Sequence, residues 1–127
     1  MILISHRGNT NGPNPKKENT IQYIEQTLKQ GYHCEIDICK FDGRKFYLGH
    51  DEPGEPVSID WLNTNQVWCH AKNYNALEAL VTLGIHCFWH PGGKYTIAVH
   101  PERLTNDEVK KFAGVCSDYI DNYKETS

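Results

Sequence analysis

Glu35 and Asp37 stand two residues apart in the stretch HCEIDICKFDGRKFYLGHD, which runs from His33 to Asp51 and ends on His50 beside Asp51. On an extended strand, side chains at i and i+2 leave from one face, so the two carboxylates point together while Cys34, Ile36 and Ile38 point the other way. Two acids on one face of an otherwise apolar strand repel, and a cation between them relieves that repulsion. A half-exposed strand with one wet face would carry the same pair with no ion at all.

Upstream, the apolar run Met1 to Ile4 reads as a buried strand that delivers Ser5-His6-Arg7-Gly8 at its end. These residue types suit a phosphate: Arg7 can hold two oxygens at once, Gly8 lets backbone approach, and His6 can move a proton near neutral pH. Glu18-Asn19-Thr20 follows at the head of a helix. The ordered set H-R-G, E-N-T, E-I-D and G-H-D across residues 4 to 51 resembles the glycerophosphodiester phosphodiesterase family, a branch of the phospholipase-C-like phosphodiesterases.

The resemblance implies that His6 and His50 are the general acid and base and that Glu35 and Asp37 hold a divalent ion, Mg²⁺ or Ca²⁺. Further along, Trp68-Cys69-His70-Ala71-Lys72 looks like the family strand that carries a third acidic ligand and then a lysine. His70 stands at the acid's position and Lys72 at the lysine's, so Lys72 joins Arg7 as an expected phosphate ligand. An imidazole in such a site moves the preference toward Mn²⁺, Zn²⁺ or Fe²⁺. The ending GVCSDYID resembles the family's last strand. Asn19, His90 and Asp118 are further residues expected to line the site, the last two because they fall at strand ends.

Those residues need a frame. The 127 residues suffice for one domain, residues 1 to 127, but are about half of the roughly 250 of a (β/α)8 barrel. Net charge is -3, and basic residues cluster no further than pairs such as Lys16-Lys17 and Lys110-Lys111, which argues against a nucleic-acid surface. No stretch approaches the ~20 apolar residues of a membrane span, and MILISHRG lacks the features of a secretory signal, so a cytoplasmic protein is expected. The five cysteines form no C-x-x-C pair and read as reduced core residues rather than a zinc cluster.

Strands are expected at residues 2 to 5, 33 to 39, 45 to 49, 66 to 71, 85 to 90, 95 to 99 and 115 to 120. Between them, Asn19 caps a helix with Ile21, Ile24 and Leu28 on one face and Gly31 as terminator. Ser58 caps a short helix, Asn75 caps one with Leu77, Leu80 and Val81 together, and Thr105 with Glu108 opens another. EPGEPVS reads as a loop. The recurring unit of capped helix, glycine and strand predicts an α/β fold with a mostly parallel sheet and its site at the strands' carboxyl ends. With the resemblance, this becomes a shortened (β/α) TIM-type barrel of the PLC-like phosphodiesterase kind, incomplete relative to eight βα units. An incomplete sheet would expose edges, so a homo-oligomer is expected, with Trp89 and Tyr95 at the contact.

The other histidines have plainer explanations. His33 and His86 sit at strand starts, opposite the expected site, and His100 precedes Pro101 in a loop. Trp61, Trp68, Phe88 and Trp89 are read as packing residues. Three functions follow: metal-dependent hydrolysis of a small phosphodiester such as a glycerophosphodiester, a non-hydrolytic phosphate-binding module of the same descent, or a domain with no ligand. The last leaves His6, Arg7, Glu35, Asp37, His50 and Lys72 unexplained, and the two titrating histidines favour the first over the second.

Overall fold

A computed structural model describes residues 1–89, 97–99 and 114–126. The described residues contain eight strands: β1 (Ile2–His6), β2 (His33–Phe41), β3 (Phe46–Leu48), β4 (Pro56–Val57), β5 (Val67–Ala71), β6 (Cys87–Trp89), β7 (Ile97–Val99) and β8 (Gly114–Ser117). Among the described residues, α-helices α1 (Ile21–Lys29), α2 (Ile59–Leu62) and α3 (Tyr74–Thr82) lie between them, and a 3-10 helix spans Ile120–Thr126.

Six strands pair in parallel in the order β7-β8-β1-β2-β5-β6, and the hairpin β3-β4 leaves antiparallel from the outer part of β2. The result is a small α/β protein with a mixed sheet. Chain order runs cyclically around the sheet, with the last strand beside the first. Among the described residues no pairing joins β6 to β7.

β2 is the hub, and its alternation divides the molecule. Cys34, Ile36 and Ile38 have no solvent exposure and pack with Ile24 of α1, Leu62 of α2, and Ala76 and Leu80 of α3. Truncating one such isoleucine to alanine would cost about 2–5 kcal/mol, because the lost transfer energy adds to the cavity left behind. The opposite face carries Glu35 and Asp37, aligned with Trp68 and His70 on β5, while His6 of β1 is level with Glu35.

Several local expectations change. Thr20, not Asn19, is the N-cap of α1, its hydroxyl accepting from the Tyr23 amide, because the Asn19 side chain is engaged elsewhere. Asn73, not Asn75, caps α3, accepting from the Ala76 amide. That frame turns Ala76 and Leu80 inward and leaves Val81 exposed, so Val81 does not share the buried face. Residues 56 and 57 form β4 instead of a loop: Val57 is buried opposite Phe46, and an edge strand tolerates Pro56. The strand expected at 115 to 120 ends at Ser117, and Ile120 begins the 3-10 helix, where it packs with Tyr32 and Tyr123.

Ser58 does cap α2, and Gly31 and Gly84 follow α1 and α3 with φ of 92° and 71°. All five cysteines are free thiols. Among the described residues no helix is long and apolar enough to cross a membrane. The expected turn at Pro91 to Tyr95, the helix opened by Thr105, and His90 and His100 lie outside the described residues, as does Tyr95 of the expected oligomer contact.

Candidate active site

β1 ends on His6 and Arg7 turns the chain, taking φ of 59° while its amide donates to the Glu35 carbonyl at 2.8 Å. Asn19 takes a similar φ of 57°, and its amide donates to the Arg7 carbonyl at 3.2 Å. Two non-glycine residues in the left-handed region, bonded to one another, cost energy that the surrounding contacts must supply. Those contacts converge on Asp37. Its Oδ2 lies 2.8 Å from Arg7 Nε and accepts from Asn19 Nδ2 at 3.0 Å, while the Asp37 amide donates to Asn19 Oδ1 at 2.9 Å.

On the other side of Asp37 stands His70. Its Nδ1 is 3.3 Å from Asp37 Oδ1 and 3.3 Å from Glu35 Oε2, so one imidazole nitrogen bridges both carboxylates. The His70 ring stacks on Phe88 of β6, with centroids 4.8 Å apart and planes 11° apart. Phe88, read as a packing residue, thus packs on a candidate ligand. Donor atoms of Glu35, Asp37 and His70 lie within 4.8 Å of one another, a spacing that one cation can span. Glu35 Oε1 is buried and accepts no hydrogen bond. A buried carboxylate oxygen left without a donor is costly unless an ion completes it, so the residues present fit a divalent cation.

Burial favours the neutral form of His70, but its bonds to Asp37 and then Glu35 outweigh that and raise its pKa to about 9. Burial likewise pushes the Asp37 carboxyl up, and His70, Arg7 and Asn19 together hold it below the usual carboxylate range. Positive charge is therefore favoured at the point where His70 meets the two acids.

His6 completes the group. Its Nδ1 is 2.7 Å from Asp118 Oδ1, which also accepts from Asn9 Nδ2 at 2.8 Å. A carboxylate only accepts, so Nδ1 carries the hydrogen and Nε2 is the atom turned toward Glu35 Oε1, 3.9 Å away. Burial lowers the His6 pKa, and the Asp118 hydrogen bond and the Glu35 charge more than reverse it, leaving it raised.

The structure thus brings His6, Arg7, Asn19, Glu35, Asp37, His70 and Asp118 together. Lys72 follows β5, and its positive charge acts on His70. His50 is set apart: exposed, it pairs with Asp51 at 3.0 Å and lines a cavity of about 450 Å³ beside Arg7, Glu18 and Asn19. Arg7 faces Asp37 at 2.8 Å and Glu18 at 3.4 Å. At Gly8, φ is 94° and an added Cβ would meet the Tyr23 ring at 2.6 Å, so the absence of a side chain there makes room for a ring of α1.

Asn9 and Glu18 were not singled out as individual site residues. Asn9 is buried and links Asp118 to the Tyr23 hydroxyl, and Glu18 fixes Arg7 while accepting from the Asn14 amide. The length of the segment from residue 9 to 17 is the signal that points to Asn9, and the E-N-T motif the one that points to Glu18. Compared with family models, curated proteins and solved structures, the chain matches none.

Proposed function

We propose that this protein is a metal-dependent phosphodiesterase acting on a small phosphodiester of the glycerophosphodiester kind, built on a shortened (β/α) barrel. The observation that carries the reading is the convergence of one oriented histidine, one guanidinium and a Glu35-Asp37-His70 cluster at neighbouring strands. The cyclic strand order β7-β8-β1-β2-β5-β6 supports the barrel part.

Glu35, Asp37 and His70 would hold the divalent ion, which when bound supplies charge neutralisation for an anionic phosphodiester. The remaining tasks fall to the chain. Asp118 holds His6 by Nδ1, so proton transfer belongs to Nε2, and the raised pKa suits an imidazolium that protonates a leaving alkoxide. Arg7 has two carboxylate partners and becomes a phosphate ligand by exchanging the Glu18 contact, the longer of the two. Lys72 adds positive charge beside the cluster. The cavity edged by His50, Asp51 and Glu55 gives the alcohol portion a place next to Arg7.

One observation favours a second reading, a phosphate-ligand binding module without turnover. His50, the expected partner of His6, is on the cavity rim with Asp51 rather than in the Glu35-Asp37-His70 cluster. Hydrolysis of bis(p-nitrophenyl) phosphate and of glycerophosphodiesters, with and without added divalent metal, separates the two. We expect metal-dependent release of product that is lost in His6→Ala and Glu35→Ala. Tight ligand binding without release by the wild type would establish the binding module instead.

A further inference from the structure

We infer that the Glu35-Asp37-His70 cluster selects a divalent transition ion, Mn²⁺ or a later one, over Mg²⁺ and Ca²⁺, with His70 as the discriminating ligand; this rests on the metal part of the function proposed above. Hard ions such as Mg²⁺ and Ca²⁺ are held by anionic oxygen, and their affinity grows with ligand charge. Here the cluster supplies only two carboxylates, and one of them, Asp37, already faces the Arg7 guanidinium at 2.8 Å and accepts from Asn19 at 3.0 Å. Each acid keeps one buried oxygen that accepts no hydrogen bond, Glu35 Oε1 and Asp37 Oδ1.

The third donor is a nitrogen, and it is well placed. His70 Nδ1 is equidistant from the two acids at 3.3 Å, and the stack on Phe88 fixes the plane of the ring. Backbone pairing sets the rest of the geometry, since His70 is level with Asp37 across β5 and β2 and with Phe88 across β5 and β6. A neutral imidazole adds no charge, so it does little for Mg²⁺ or Ca²⁺, whereas d-block ions gain from nitrogen donation in the order Mn²⁺, Fe²⁺, Co²⁺ and upward. Phe88 is a positioning residue in this account: it touches the ligand, not the ion.

The test is a calorimetric titration of the full chain with Mn²⁺, Co²⁺, Mg²⁺ and Ca²⁺, on wild type and His70→Asp. We expect Mn²⁺ to bind the wild type at least about tenfold more tightly than Mg²⁺, and His70→Asp to shrink that ratio about tenfold or more. Electron spin echo modulation from imidazole ¹⁴N in the Mn²⁺-loaded wild type gives a readout that does not depend on the variant folding. A ratio unchanged by His70→Asp, or bound Mn²⁺ without a nitrogen coupling, overturns the inference while leaving a metal-dependent phosphodiesterase intact. Absence of binding by all four ions overturns both.

Discussion

Two pairs of histidines stand in or beside the same sheet and differ in almost everything else. His6 and His70 stand among carboxylates, whereas His33 and His86 flank Trp68, two residues before His70 on β5. Trp68 Nε1 donates to His33 Nδ1 at 3.0 Å, and the His86 ring lies 4.2 Å from the indole. Burial and the neighbouring His86 depress the His33 pKa, while the acids raise that of His70 to about 9. A two-residue step along one strand thus separates an aromatic cluster from a site that favours positive charge. The residue type is shared; the neighbouring carboxylates decide its role.

The contrast is broken most severely by removing the proton carrier from the carboxylate side. His6→Gln should lower metal-dependent turnover about 10³-fold or more, with Mn²⁺ affinity by calorimetry unchanged within a few-fold. Removal of its orienting partner is milder. Asp118→Asn should reduce turnover about 100-fold and move the alkaline limb of the pH-rate profile to lower pH, since His6, needed as the imidazolium, loses the bond that raises its pKa. An unshifted profile would show that Asp118 is only a structural contact.

His70 and His33 should also respond to pH with opposite sign. His70 is raised above its ordinary value of 6.5, so the stability it contributes to the metal-free protein is complete below 6.5 and is lost as pH rises through about 9. His33 is lowered, so its contribution is present above 6.5 and is lost as pH falls below that value. Thermal unfolding across pH 5 to 10 should lose its alkaline limb in His70→Gln and part of its acid limb in His33→Gln. Because a metal competes with the His70 proton, Mn²⁺ affinity should rise about tenfold per pH unit up to pH 9, and this slope should vanish in His70→Gln.

The smallest effect belongs to the aromatic cluster. Trp68→Phe removes the donor to His33 and should cost about 1 kcal/mol in urea unfolding while metal affinity stays the same. A parallel loss of metal affinity would mean that the two clusters are coupled through β5.

Much of this arrangement is legible in the chain because it depends on short-range pattern. Alternation alone puts Glu35 and Asp37 on one face and Cys34, Ile36 and Ile38 on the other, and strand-end position marks His6, His70 and Asp118. The failures occur where a long-range partner decides. Asn19 and Thr20 are both good caps, and only the Asp37 carboxylate, eighteen residues away, draws Asn19 out of the capping role and leaves it to Thr20. Pro56 argues against a strand, yet Val57 has a core position to fill opposite Phe46.

The most direct test of the central claim is a ³¹P NMR time course of a glycerophosphodiester with the full chain, first stripped of metal by chelator and then given Mn²⁺. The account predicts no conversion in chelator, conversion of the diester resonance to a new phosphate species on adding Mn²⁺, and no conversion by Glu35→Ala under the same conditions. Persistence of the diester signal with calorimetrically confirmed Mn²⁺ bound, or turnover undiminished in Glu35→Ala, would contradict it.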